Sequence, residues 1–429
     1  MNYFLGIDFG TSGVRAIAID AGGEVFAFTR CDYDIRDCAT WQTALYEVIA
    51  SLPIKIRQNI RKIVIDGTSS TVLICDRMGK AIAPIMIYSD TCEPEVVNQV
   101  KKFAPPEHFV CSSTSSFAKL IALAKYARKE LEARSLYFLH QADWLGYLLH
   151  GKLGISDYHN ALKLGYDPEL LIYPDWLQTW ASENPALILP EIQAPSTSVG
   201  IIKKAIALKL GLPLSCEIGA GTTDSNAAFF ASVGTATPAI GTAVTSLGST
   251  MVLKVLSDRP INDVRYGIYS HRFEHPEFGC LWLVGGASNV GGAVLRQFFT
   301  EQQLLELTEA LSDRIDLNIP SPLDYYPLPK IGDRFPINDP DLLPRLEPRP
   351  DDPVEFLYGL LESMARIEAE GYALLQKLGA SSIQKIYTAG GGAKNQVWTK
   401  IRDRYLQIPM LKSDQTEAAY GAALLAKSV

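Results

Sequence analysis

The sequence predicts an α/β protein built from two related halves, and three observations point there. An apolar run that meets a glycine and hydroxyl turn and then a second β-favouring run occurs at YFLGIDFGTSGVRAIAID (3–20) and again at AIGTAVTSLGSTMVLKVL (239–256). In each half a strand led by basic residues then ends in a similar turn, at IRKIVIDGTSS (60–70) and IQKIYTAGGGAKN (383–395). Finally, 429 residues are long for one core and fit two domains of roughly 200 residues each. The expected seam lies near 233, giving domains 1–232 and 233–429.

The elements follow in order. Residues 3–7, 14–20 and 25–29 are short apolar runs separated by turn residues, the signature of a strand meander, and 61–66 is a further strand. A second hairpin is expected around Arg77 to Lys80. The stretch 116–131 places Leu120, Ile121, Leu123, Ala124 and Ala127 close to a 3.6-residue period, which predicts an amphipathic helix. Helices are also expected at 141–154, stopped by Gly151, and at 201–210, closed by Gly211 and Pro213. Residues 214–234 read as an apolar run, a GTTD turn and an Ala-rich helix, and QVWTKIRDRYL after the triple glycine reads as another helix.

Composition narrows the function class. A net charge of −7 gives no general attraction to nucleic acid or an anionic membrane. A small anionic ligand is still compatible, because backbone N–H groups and a metal ion act locally. No basic segment leads into a signal-like apolar run, and no 18-residue apolar span occurs. A soluble cytoplasmic protein, monomer or homodimer, is the expectation. Seven cysteines without a CxxC pair read as reduced thiols, and the six histidines do not cluster with zinc-site spacing.

Four motifs carry the candidate chemistry. In DFGTSG (8–13) an aspartate ends an apolar run. Asp8 either caps its own turn or, through Mg²⁺, faces a phosphate bound by the backbone and the hydroxyls of Thr11 and Ser12, with Gly10 allowing close approach. GTTD (221–224) puts Asp224 at a helix start, as an N-cap or as a base that takes a proton from an incoming hydroxyl. SLGST (246–250) offers Gly248, Ser249 and Thr250 to a terminal phosphate. AGGGAKN (389–395) places three glycines where a backbone can lie against a flat ligand, and GGASNVGG (285–292) is a similar close-approach segment that packing explains equally well. No GxxxxGK[ST] and no GxGxxG opening a βαβ unit is present.

Taken in order, DFGTSG, GTTD, SLGST, AGGGAKNQVW (389–398) and EAAYGAALLA (417–426) resemble the FGGY family of carbohydrate kinases, of the sugar-kinase, actin and Hsp70-type superfamily, over nearly the whole chain. The resemblance implies two actin-like (ribonuclease H-like) domains facing across a cleft, with ATP and Mg²⁺ mainly on the second and a polyol or ketose mainly on the first. It implies Asp8 and Thr11 at the phosphate and metal turn and Asp224 as catalytic base. Ser249 and Thr250 would lie beneath the phosphates, and Gly391, Gly392 and Asn395 at the nucleoside. Two departures stand out. Where many members carry Trp-x-Asp-x-Arg, YSDTC (88–92) keeps Asp90 alone. Where many xylulose kinases read Gln-Met-His-Gly, this chain reads GTSS, leaving Ser69 and Ser70 toward the sugar. The short chain with these substitutions is similar to the cyanobacterial and plant pentulose kinases. D-ribulose is then the expected substrate, converted to D-ribulose 5-phosphate, and D-xylulose or another polyol the alternative. A nucleotide-dependent chaperone or structural ATPase of the same fold would hydrolyse ATP without sugar stimulation. A catalytically silent sugar-binding module would have spoiled nucleotide turns, whereas the turns here look intact.

Overall fold

The computed structural model describes residues 1–428 other than Thr237 and Pro276. It divides into two compact units, Met1–Thr235 with Gln415–Val429, and Ala236–Asp414.

The first unit is built on strands β1 (Tyr3–Gly10), β2 (Gly13–Ile19), β3 (Val25–Cys31), β4 (Ile60–Gly67), β5 (Ser198–Ile201), β6 (Glu217–Gly219) and β7 (Thr222–Thr223). Their order is β5-β6-β4-β1-β2-β3, with β7 also paired to β4. β1 and β2 form an antiparallel hairpin whose last pair is Gly10 with Gly13, while β1 and β4 run parallel. The central strands β1, β2 and β4 are apolar on both faces because both are covered. Leu5, Ile7 and Phe9 pack with Trp41, Leu45, Trp144 and Leu145 on one side, from helices α1 (Cys38–Ala50) and α3 (Gln141–His150). Helix α2 (Ser116–Tyr126) lies between these two in the chain and belongs to a neighbouring apolar cluster with Phe117, Leu120 and Phe138. The one-turn helix α4 (Tyr158–Ala161) and helix α5 (Asp224–Val233) complete the elements that shape the site.

The other face of the sheet takes α5 and the C-terminal helix Ala418–Lys427, with Ile17 and Ile19 against Ala231, Ala419, Tyr420 and Ala423. By packing, EAAYGAALLA lies with the first unit rather than with residues 236–414. The reason is close packing between small residues. A Cβ on Gly6 would fall 2.0 Å from the Ala419 carbonyl oxygen, and one on Gly421 would fall 1.8 Å from that of Ala227.

The second unit repeats the plan. Strands β8 (Thr242–Leu247), β9 (Met251–Ser257), β10 (Tyr269–His275), β11 (Gly279–Ser288), β12 (Lys385–Ala389) and β13 (Met410–Lys412) are ordered β10-β11-β9-β8-β12-β13. β8 pairs antiparallel with β9 and parallel with β12, the relation that β1 holds to β2 and β4. Helices α6 (Gly292–Phe298), α7 (Pro353–Lys377) and α8 (Gln396–Leu406) flank this sheet, and Leu357, Leu361 and Met364 of α7 pack with Leu253, Val255 and Val284.

The smaller expectations resolve locally. Cys75 pairs with Ala81 and Val72 with Met86, which is the hairpin around Arg77 to Lys80. The helix expected over 116–131 breaks at Ala127 into Ser116–Tyr126 and Arg128–Ala133. Ile201 ends β5, so the next helix starts only at Lys204, and Gly211 at φ +67° closes it. All seven cysteines are free thiols. Among the described residues no helix is long and apolar enough to cross a membrane.

Candidate active site

One rung of the first sheet assembles a carboxyl pair. The register aligns Arg15 of β2 with Asp8 of β1, Asp8 with Asp66 of β4, and Asp66 with Thr222 of β7. Residues in register on parallel strands point to the same face, so Asp8 and Asp66 lie side by side. Asp8 is not at the strand tip, as the sequence suggested, but two residues inside it and buried, and the exposed turn is Thr11 and Ser12. Gly10 allows the carboxyl to sit there, because a Cβ would lie 3.3 Å from both Asp8 oxygens.

Burial of both acids dominates their chemistry. Desolvation lifts Asp8 to about 6, and the Asp224 charge adds to the rise, while hydrogen bonding to Asp66 and the Arg15 guanidinium oppose it. Asp66 is completely buried and is pushed well above the carboxylate range by desolvation first and the Asp8 charge second. Burial thus favours the protonated form of both acids, most strongly of Asp66, and the Arg15 guanidinium opposes this at each. Arg15 Nη1 lies 3.3 Å from Asp8 Oδ2, its Nε 3.1 Å from Glu417 Oε2, and its Nη2 donates to Ser12 Oγ at 3.1 Å. Asp8 Oδ1 and both Asp66 oxygens receive no donor from the protein. Those orphaned oxygens fit a divalent cation. Among the described residues no group of three or more His, Cys, Asp or Glu side chains is arranged to hold a metal. That donor set suits Mg²⁺, which is commonly held by one or two carboxylates plus substrate phosphates.

Asp224 is the first residue of α5, and the N-cap position belongs to Thr223. Its Oδ1 accepts from Ser225 N at 2.7 Å, and it is partly exposed. The segment carrying it is held from α4. Asp157 caps that helix and accepts from Asn160 Nδ2 (2.6 Å), Asn160 Nδ2 reaches the Thr222 carbonyl (3.1 Å), and His159 Nδ1 bonds Thr222 Oγ1 (2.7 Å).

The GTSS turn connects to its neighbours by hydrogen bonds. The Gln141 Oε1 accepts from Thr68 N at 3.2 Å, Gln141 Nε2 donates to the Tyr33 hydroxyl at 3.2 Å, and that hydroxyl donates to the Gly10 carbonyl at 3.0 Å. Ser69 is half-buried. Ser70 is buried with its Oγ bonded to Ser116 Oγ at 3.2 Å, and its backbone is left-handed at φ +63°, a strain of about 1–3 kcal/mol for a residue with a Cβ. Asp90 accepts a two-pronged bond from Arg36, at 2.7 and 2.9 Å, and another from Ile87 N at 2.9 Å. The Arg36 bond holds its carboxyl below the usual range.

In the second unit the SLGST and AGGGAKN turns follow adjacent, parallel strands, β8 and β12. Ser249 Oγ accepts from Arg296 Nη2 at 2.7 Å, a basic group that sequence reasoning missed. GGASNVGG lies backbone to backbone against this turn, since Gly292 N donates to the Gly248 carbonyl at 2.9 Å and a Cβ on Gly291 would meet the Ser249 carbonyl at 2.7 Å. Packing therefore explains those glycines. In the triple glycine, Gly390 (φ +85°) abuts the Leu247 backbone and Gly392 abuts the Trp398 ring, whereas Gly391 faces open space with nothing within 4 Å of its absent Cβ. Asn395 caps α8 through Trp398 N at 2.9 Å and reaches Thr308 Oγ1 at 3.3 Å. Beneath both turns Arg402 is fully buried and binds Glu368 through two bonds, at 2.6 and 2.8 Å, and Thr388 Oγ1 at 2.9 Å. Glu368 in turn accepts from Thr245 Oγ1 at 2.6 Å. Thr245 and Thr388 face each other across β8 and β12, so this buried pair fixes the strand ends from which both turns leave.

Comparison with known proteins agrees with this architecture. The model of the FGGY family of carbohydrate kinases, N-terminal domain, matches residues 3–231, and that of the C-terminal domain matches residues 243–428. The xylulose kinase of Bacillus subtilis (strain 168) is 23% identical over 99% of this chain and 88% of its own length. The gluconokinase of the same organism is 21% identical over 99% of this chain and 87% of its own. Among solved structures, the ligand-bound xylulose kinase from Lactobacillus acidophilus superposes with a TM-score of 0.82 at 19% identity, covering 100% of this chain and 89% of that one. Plasmodium falciparum glycerol kinase with ADP superposes with a TM-score of 0.79 at 16% identity, covering 99% and 89%. The chain belongs to the FGGY family of carbohydrate kinases and is an ATP-dependent sugar phosphotransferase with their two-domain, actin-like fold.

Proposed function

We propose that this kinase phosphorylates the terminal hydroxyl of D-ribulose to give D-ribulose 5-phosphate. The observation that carries the mechanism is the carboxyl cluster, in which a partly exposed Asp224 acts electrostatically on the buried Asp8 and Asp66. Asp224 accepts the proton of the sugar hydroxyl as its oxygen attacks the terminal phosphorus, as a general base at hydrogen-bond reach does. Asp8, with Asp66 behind it, would hold Mg²⁺, which when bound supplies positive charge against the phosphates. Thr11 and Ser12 offer hydroxyls at the exposed turn beside Asp8. Gly248, Ser249, Thr250, Gly391, Gly392 and Asn395 form the nucleotide side, with Arg296 added to them.

Ser69 and the Asp90 loop face the acceptor in this reading, and Ser70 sets the shape of the turn. Small hydroxyl side chains at GTSS, where a Gln-Met-His-Gly loop would be bulkier, support D-ribulose. The names of the relatives favour D-xylulose as the second reading. An ADP-release panel with D-ribulose, L-ribulose, D-xylulose, glycerol and no acceptor, at fixed ATP and Mg²⁺, separates them. The highest kcat/KM is expected for D-ribulose. A higher value for D-xylulose replaces the substrate, and ADP release that no sugar stimulates overturns the transfer reaction.

A further inference from the structure

Lys119 of α2 is completely buried, and its ammonium is satisfied by two backbone carbonyls from separate loops, Ser70 O at 2.8 Å and Ile87 O at 2.6 Å. An ammonium is a costly way to fill apolar space, and a methionine would pack there without desolvation. What the charge gains is a crosslink. Ser70 belongs to the turn that presents Ser69 and is held in its left-handed conformation, with Ser116 Oγ on its side chain. Ile87 opens the loop that presents Asp90, whose carboxylate accepts from Ile87 N. Tyr88 N also donates to Thr71 Oγ1 at 3.0 Å, so the two loops meet at a second point.

We propose that Lys119 is the positioning residue of the acceptor site, fixing the turn of Ser69 against the loop of Asp90 and thereby setting sugar affinity. This rests on the reading above that those loops hold the sugar. Burial pushes the ammonium down to about 8. Asp90 and Cys92 on the adjoining loop oppose that shift, Lys163 and Arg36 add to it, and His140 Nε2 bonds Ser116 Oγ, which in turn donates to Ser70 Oγ. Deprotonation turns two charge-assisted bonds into neutral ones about half as strong.

The test is steady-state kinetics with the best acceptor at saturating ATP and Mg²⁺, between about pH 7 and about pH 9.5. In the wild type the sugar KM is expected to rise several-fold over that range. In Lys119→Met it should be raised roughly 10- to 100-fold at pH 7, as for loss of a hydrogen bond from a charged donor, and no longer vary with pH, while kcat and ATP KM stay close to wild type. Because the folded-state value lies below the ordinary 10.5, the unfolded chain binds more protons between about pH 8 and 10.5. This group therefore raises stability with pH over the same range in which affinity falls, whereas a merely structural lysine would give the same rise in stability with the sugar KM unchanged. Should Lys119→Met not fold, the wild-type profile stands as the test. A flat wild-type KM, a variant with wild-type KM, or a pH-dependent rise that survives in the variant overturns the proposal alone. Absence of any sugar phosphorylation overturns the kinase reading and this inference with it.

Discussion

Asp8→Asn should make the protein more stable and abolish its activity. In the folded state the Asp8 carboxyl keeps its proton up to about pH 6, against 3.8 for the ordinary side chain. Between those values the folded chain binds more protons than the unfolded one, so stability falls as pH rises through the window, and the whole penalty is present above it. The difference of roughly two units, at 1.36 kcal/mol per unit, amounts to about 3 kcal/mol at pH 7. At pH 4.5 the penalty has shrunk to about 1 kcal/mol. Asparagine carries no charge to desolvate, and Arg15 keeps Glu417 and Ser12 as partners. The variant should therefore gain about 3 kcal/mol at pH 7, a rise in Tm of the first unit of roughly 6–12 °C, and much less at pH 4.5. Urea or thermal unfolding of both proteins at the two pH values measures this. A variant less stable than wild type at pH 7, or a difference independent of pH, would refute the argument from burial.

Two further predictions address the second unit. Arg296→Ala should raise the KM for ATP, by roughly tenfold for one lost charge-assisted contact, with sugar KM unchanged; steady-state titration of each substrate checks it. Glu368→Gln leaves Arg402 buried without its counter-charge and should cost about 3–5 kcal/mol in chemical unfolding, whereas loss of an exposed pair such as Arg259 and Asp258 should be nearly silent.

The strand–turn–strand grammar was legible in the sequence because glycine and hydroxyl turns are local signals, and it placed both hairpins, the GTTD helix start and the duplication. Asp66 was not found, although IDGTSS (65–70) echoes IDFGTS (7–12). Recognising it as the partner of Asp8 needs the parallel pairing of strands more than fifty residues apart, which no local pattern encodes. Arg15 was within reach, because a two-residue turn after Gly10 sets residue 15 opposite residue 8. Arg36 and the pair of Glu368 and Arg402 come from segments whose meeting only tertiary structure decides. The packing of the C-terminal helix on the first unit was hidden for a related reason. EAAYGAALLA carries the family resemblance, but that Gly6 presses on Ala419 and Gly421 on Ala227 is decided only by tertiary structure.

The most direct test of the central claim is the single-turnover rate of Asp224→Ala with ATP, Mg²⁺ and sugar. The account predicts a loss of roughly 10²- to 10⁴-fold in the phosphoryl-transfer step, as expected for removal of a general base, with the fold and ATP affinity intact. A variant that transfers phosphate at the wild-type rate would contradict it.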